Sequence, residues 1–329
     1  MSTLPFEKKK REILIKRELT PCKEYGTEPD KRPIPELIKY GIINVDKPKG
    51  PTSHQVSAYL QKIMGVNKGG HSGTLDPGVT GVLPVAIERA TRVVQAILNA
   101  GKEYVCLMNL HKEISEYEIY KLCEGFTGKI EQMPPVRSAV KRQLRTREIY
   151  YIDILEIENG RNILFKVGCQ GGTYIRKLVH DMGIKAGSGA HMAELRRTKA
   201  GPIDESTAFT LQDISDALYF YKEEGNERFL RKVVQPMENA VKHLPMVWVA
   251  DTTINPLCHG SNLCIPGVAR FHSGINKDDI IAVMSLKDEL VALGTAVMIS
   301  EDIQKAEKGV CVRIDKVFME PGTYPKYIK

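Results

Sequence analysis

Three short runs carry side chains that could do chemistry. The first is His71 to Pro84, HSGTLDPGVTGVLP, which holds one carboxylate, Asp76, in a turn built from Gly73, Pro77, Gly78 and Gly81. Gly and Pro at this density fix a turn and let another backbone approach closely. An acid on a rigid turn beside a strand is held still, as a reactive group must be. Taken alone, an Asp-Pro-Gly turn needs no function, because such an Asp ordinarily bonds its own backbone. The second run, Lys102-Glu103-Tyr104-Val105, opens a strand, where an isolated Tyr is a β-propensity choice. The third, Gly172-Thr173-Tyr174-Ile175-Arg176, opens a helix with Tyr174 and Arg176 off its apolar stripe. A guanidinium beside a carboxylate favours the ionised form that an attacking carboxylate needs. A lone Arg at a helix start is otherwise a surface charge.

A fourth segment is electrostatic. Pro134 to Arg147, PPVRSAVKRQLRTR, holds Arg137, Lys141, Arg142, Arg145 and Arg147 with no acid among them. It is either a solvated basic face or a phosphate-binding surface, and its company favours RNA.

The elements that must position these groups follow from spacing. Ile42, Ile43 and Val45 make a strand, and Val82, Leu83, Val85 and Ile87 a second, buried one. Thr52 to Met64 reads as a helix with a Thr52/Gln55 capping box, and Ser115 to Phe126 as another with Ser115/Glu118. Ala90 to Asn99 is also expected to be helical. The strand from Lys102 runs to about Leu110. Strands at 149–157 and 163–169 meet at Asn159-Gly160, the strongest short hairpin signal. Ile175, Leu178, Val179 and Met182 form the stripe of the helix opened by the third run. Helices are expected at 211–221 and 226–234. From Met246 the pattern changes to short strands separated by Gly, Pro and Asn (247–249, 279–286, 289–299 and 310–319), as in a small β-barrel.

Composition bounds the rest. The chain has 329 residues, 42% hydrophobic and 26% charged, enough for two domains and a sizeable core. A net charge of +7 permits nucleic-acid binding without demonstrating it. No apolar run approaches the roughly 20 residues of a membrane span. The N-terminus lacks the apolar core of a secretory signal, so an intracellular, cytoplasmic protein is expected. The seven Cys are irregularly spaced and read as reduced thiols. Cys258, His259, Cys264 and His272 fit no common zinc spacing. Residues 1–40 are basic and Pro-interrupted, either a solvated arm or an extension that packs on another domain, such as the C-terminal barrel, or touches phosphates.

The HSGTLDPGVTGVLP run resembles the signature of the TruB-class pseudouridine synthases, and D-K-P-x-G-x-T-S-H, K-E-Y-V, G-T-Y-I-R and L-R-R-T-x-x-G fall in the same family's order. The runs IERATR, RSAVKRQLRTR and GAHMAELRRT narrow the likeness to the dyskerin branch, in its compact archaeal-type form. The resemblance implies a mixed α+β fold: a largely antiparallel-sheet catalytic domain (41–245) followed by a small β-barrel PUA domain (246–329). It implies Asp76 as catalytic carboxylate, Arg176 as its partner and Tyr104 stacked on the target base. Tyr174, Leu195 and His71 would line the pocket. Lys47 and Pro48 would support the Asp76 loop. Arg137, Lys141, Arg142, Arg145 and Arg147, with Gly260 and Gly267 of the PUA-like domain, are the expected RNA contacts.

The implied reaction converts uridine to pseudouridine within RNA and calls for no metal or other cofactor. The base leaves its N1–C1′ bond, rotates and rejoins through C5, after extrusion from its stack. Asp76 would act as nucleophile or as base at the ribose, and the sequence leaves both open. The implied partners are an H/ACA guide RNA, substrate rRNA or tRNA, and small accessory proteins, with no membrane. The alternatives are a stand-alone tRNA-modifying enzyme, which the trimmed middle region disfavours, and a non-catalytic RNA-binding scaffold, which the intact Asp76, Tyr104 and Arg176 disfavour. A glycoside hydrolase normally needs two carboxylates flanking the bond, whereas Asp76 is set against an Arg and a Tyr. Deleting residues 246–329 is expected to weaken guide binding and leave the catalytic domain folded.

Overall fold

Two sheets organise the computed structural model, which describes residues 2–134 and 143–326. Numbered along the chain, the strands are β1 (Ile13–Ile15), β2 (Gly41–Lys47), β3 (Gly69–His71), β4 (Thr80–Ile87), β5 (Lys102–Leu110) and β6 (Gly128–Gln132). Next come β7 (Arg145–Glu158), β8 (Asn162–Cys169), β9 (Ala190–Ala200), β10 (Ile203–Asp204) and β11 (Val234–Pro236). The remaining six are β12 (Met246–Val249), β13 (Leu263–Cys264), β14 (Val268–His272), β15 (Ile280–Met284), β16 (Leu290–Ala296) and β17 (Val310–Val317). The first sheet runs β11-β2-β4-β9-β5-β8-β7-β6, with β3 added to β4 and β10 to β9. The second runs β1-β14-β12-β15-β16-β17-β13. Only β4–β9 and β12–β15 pair in parallel, so both sheets are largely antiparallel.

Local chemistry explains the elements that matter for the site. β4 is apolar and buried along nearly its whole length because it lies between β2 and β9. The helix Ser53–Met64 starts at the Thr52/Gln55 capping box and stops at Gly65, whose φ of 66° suits a residue without Cβ. The helix Ile175–Lys185 buries Ile175, Leu178, Val179 and Met182. β7 and β8 turn at Asn159 and Gly160, both at positive φ, as a tight hairpin demands.

The structure departs from the expected elements in several places, the unforeseen strands β6, β9 and β14 among them. The segment expected as one helix at 90–99 is a 3-10 helix, Glu88–Val93, followed by a short helix, Val94–Leu98. Glu88 sits at φ 48° and its carboxylate accepts from the Asn67 amide at 2.6 Å, which takes it out of the helical path. A helix at Asp251–Cys258 was not foreseen, because Pro256 inside it reads as a breaker. The first 40 residues cross both sheets. Ser2 Oγ donates to Asp153 at 2.8 Å and Lys199 to Glu7 at 2.8 Å, after which Ile13–Ile15 pairs with β14.

Two apolar cores flank the catalytic-side sheet, one containing Leu75, Tyr104, Leu178 and Leu195, the other Ile43, Val56, Leu83 and Leu230. A third fills the second sheet. A fourth joins the two sheets: Ala90, Val93, Ile97, Met237 and Val241 pack with Trp248, Met284, Leu293 and Phe318.

Candidate active site

Asp76 stands in the loop between β3 and β4, and that loop is braced from below. The fully buried Lys47 ammonium donates to the carbonyls of Pro48 (2.9 Å), Pro77 (3.3 Å) and Val79 (2.8 Å). Burial lowers its pKa, and the charge of Asp76 opposes that shift. Ser53 Oγ accepts from the Leu75 amide at 2.8 Å and donates to the Leu75 carbonyl at 3.1 Å. The loop's own Val79 amide bonds the Asp76 carbonyl at 3.0 Å. Gly81 admits the neighbouring strand: a Cβ there would lie 2.2 Å from the Arg197 carbonyl, and its φ is 98°.

Arg176 is the second residue of its helix, and its guanidinium reaches Asp76 Oδ2 at 2.6 Å. A cation in the first turn opposes the helix dipole, so the pair offsets a local cost. Gln132, at the end of edge strand β6, fixes this helix start: its amide donates to the Tyr174 carbonyl (3.1 Å) and accepts from the Tyr174 amide (3.0 Å). Tyr174 is thereby the helix N-cap, half-buried.

Tyr104 and Leu195 lie on neighbouring strands and the same buried face. Tyr104 stands opposite Arg197, and Cys106 opposite Leu195, with Leu75 and Val79 in the same core. Burial raises the Tyr104 pKa, and the charge of the adjoining Arg197 opposes that shift. Arg197 is 1% exposed and donates to the Val82 carbonyl at 2.7 Å and to the Gly73 carbonyl at 3.4 Å. Arg196, on the opposite face, makes a bidentate pair with Asp46 at 3.0 and 3.1 Å. His71 packs edge-on to His54 with ring centroids 4.7 Å apart, and its Nδ1 is buried without a partner among the described residues. Burial holds its pKa below the usual imidazole value.

The structure therefore gathers Asp76, Arg176, Lys47, Pro48, Tyr104, Tyr174, Leu195 and His71 around one loop and the two strands beside it. The proposed RNA contacts are scattered. Arg137, Lys141 and Arg142 lie outside the described residues. Arg145 and Arg147 sit on β7, and Arg147 Nε is engaged by the Gly172 carbonyl at 3.2 Å. Gly260 is exposed at φ 89°, whereas Gly267 is buried against Thr253. Gln132 carried no motif signal, and Arg197 lay in the L-R-R-T run without a role assigned to it; burial and sheet register bring out both.

Among the described residues no group of three or more His, Cys, Asp or Glu side chains is placed to hold a metal, and no helix is long and apolar enough to cross a membrane. His259 Nδ1 and His272 Nδ1 are engaged by the Asn255 carbonyl and the Met246 amide.

Family comparisons agree along the chain. Residues 61–175 match the TruB family pseudouridylate synthase N-terminal domain, 176–242 the tRNA pseudouridylate synthase B C-terminal domain, 245–318 the PUA domain and 1–57 the DKCLD domain. The "Probable tRNA pseudouridine synthase B" of Pyrococcus furiosus is 54% identical over 96% of this chain and 94% of its own length. That of Nanoarchaeum equitans is 53% identical over 98% and 92%. The solved "Cbf5-Nop10-Gar1 Complex" contains a chain of 54% identity that superposes with a TM-score of 0.94 over 99% of both chains. The "Structure of H/ACA RNP bound to a substrate RNA containing 2'-deoxyuridine" contains one of 51% identity, with a TM-score of 0.93 over 98% of this chain and 99% of that one. The chain belongs to the TruB family of pseudouridylate synthases.

Proposed function

We propose that this chain is the catalytic subunit of an H/ACA guide-RNA particle, acting in the cytoplasm, and that it isomerises uridines of rRNA or tRNA to pseudouridine with Asp76 as the catalytic carboxylate. The observation that carries the reading is the Asp76–Arg176 pair at 2.6 Å, on a braced loop beside Tyr104 and Leu195. The full-length likeness to a chain in a substrate-bound H/ACA particle supports the guide-dependent form.

The target base is extruded, stacks on Tyr104 and lies over Leu195. Arg176 holds Asp76 aimed at the sugar. Breaking N1–C1′ leaves the bond's electron pair on the base. Rotation brings C5 to C1′, that pair forms the new bond, and the hydrogen leaves C5 while N1 gains one. Guide pairing chooses the uridine, and the protein supplies shape and phosphate contacts.

A stand-alone tRNA enzyme is the second reading, favoured by the names of the archaeal relatives. Tritium release from C5-labelled uridine separates the two. Release only with guide and accessory proteins, abolished by Asp76→Ala, supports the particle. Release from tRNA without a guide moves the assignment to the stand-alone enzyme. Tight RNA binding with no release in any mixture leaves a scaffold.

A further inference from the structure

Arg197 is a charged side chain where a stable core has no use for one. It is 1% exposed, its guanidinium hydrogen-bonds the Val82 and Gly73 carbonyls, and it faces Tyr104 directly across the strand pair. Among the described residues no carboxylate pairs with it, although the buried ion pair Arg32–Glu238 shows that this fold supplies one elsewhere. Burying an unpaired cation is unfavourable, and an apolar side chain of similar volume would cost the fold less. Strand alternation puts it there: Arg197 and Leu195 stand opposite Tyr104 and Cys106 on one face, and the register slip between Glu103 and Tyr104 leaves Thr198 without a partner and on the other side. Bulges of this kind commonly re-aim side chains beside active sites. Thr198 is used on the other side, donating to the buried Glu103 carboxylate at 2.8 Å.

We propose that Arg197 is a positioning residue for the isomerisation: its charge, delivered through the Tyr104 hydroxyl and the Gly73 carbonyl, stabilises the base while it carries the electron pair of the broken N1–C1′ bond. The detached base is an anion with no bond to the sugar until C5–C1′ forms. A fixed cation in a water-poor site stabilises developing negative charge far better than solvent does. The same contacts tie Tyr104, under the base, to the loop that bears Asp76, so the charge and the carboxylate are held in one frame. No proton moves to or from Arg197, which stays charged throughout. The neighbouring buried Lys102 is a poorer source of this charge: its ammonium is spent on the carbonyls of Ile97, Leu98 and Ala100, and burial with the Arg197 charge beside it pulls its pKa down to about 7.

The proposal rests on the assignment of Tyr104 to the target base, and the experiment separates the two. Single-turnover tritium release is measured in the assembled particle for Arg197→Met and Arg197→Lys, each with and without Tyr104→Phe, beside Asp76→Ala. Arg197→Met is expected to slow release by about 100-fold, the size seen when one preorganised donor is removed, with RNA affinity unchanged. Arg197→Lys keeps the charge and is expected to recover most of that loss. In the Tyr104→Phe background the cost of Arg197→Met should shrink, because the hydroxyl that relays the charge is gone. Equal losses for Lys and Met, or losses that multiply with Tyr104→Phe, overturn the proposal, as does failure of the folded state in both Arg197 variants. Release that survives Asp76→Ala overturns the site reading instead.

Discussion

Asp76 and Arg176 meet at 2.6 Å with 54% and 62% of their side chains exposed. An exposed pair is worth about 0–1 kcal/mol of stability, so this one has little to do with holding the fold. Arg176→Ala is therefore expected to leave the unfolding midpoint nearly unchanged and to cut single-turnover release by about 100-fold or more. Circular dichroism melts beside the tritium assay check both halves. A large loss of stability would make the pair structural. Tyr104 and Leu195 present the opposite case. They belong to the core as well as to the pocket, so their truncation moves stability and rate together.

At the scale of elements, the site depends on a loop held from underneath. Lys47→Met would strand three carbonyls that the ammonium now satisfies, at a cost of about 1–3 kcal/mol. Loosening of the Asp76 loop should appear as faster amide exchange at residues 76–79 and a fall in turnover with RNA affinity kept. Gly81→Ala attacks the same place from β4, because its Cβ has no room beside the Arg197 carbonyl. The expected loss is about 1–3 kcal/mol or more, since strain at positive φ adds to the clash, read as a lowered denaturation midpoint.

For the whole molecule, the two sheets behave as one packing unit. Glu238, at the end of the first sheet, takes a bidentate pair from Arg32 at 2.8 and 3.0 Å and accepts from the Leu290 amide at 2.9 Å. Glu238→Ala leaves a buried guanidinium unpaired and is expected to cost about 3–5 kcal/mol in denaturant unfolding. The expectation that residues 246–329 could be removed cleanly does not survive the shared core: their loss uncovers Ala90, Val93, Ile97 and Met237 and deprives β1 of its partner. Point changes on the second sheet are the better probe of guide binding. The same junction makes the protein acid-sensitive. Burial pushes His243 and His272 down to about 4, against about 6.5 in an unfolded chain. The unfolded chain takes up protons first, so stability is full above about pH 6.5 and falls as the pH drops towards 4. Thermal melts between pH 7 and 4.5 should show the decline, and His243→Leu should flatten it.

How much of this was legible in the sequence depended on how local the physics is. Capping boxes at Thr52 and Ser115, the Asn159-Gly160 hairpin and the stripe Ile175, Leu178, Val179 and Met182 are short-range facts, and each appears in the structure where the spacing put it. The motif runs also put Asp76 and Arg176 in view, one hundred positions apart, although only the fold brings them to hydrogen-bonding distance. What the tertiary structure alone decided is register and burial. The register of β5 on β9 sets Arg197 opposite Tyr104, the pairing of β6 with β7 sets Gln132 against Tyr174, and Ile13–Ile15 gains a partner 259 positions further on in His272. None of these has a local signal, because the partner strand, not the neighbouring residue, determines which way each side chain faces.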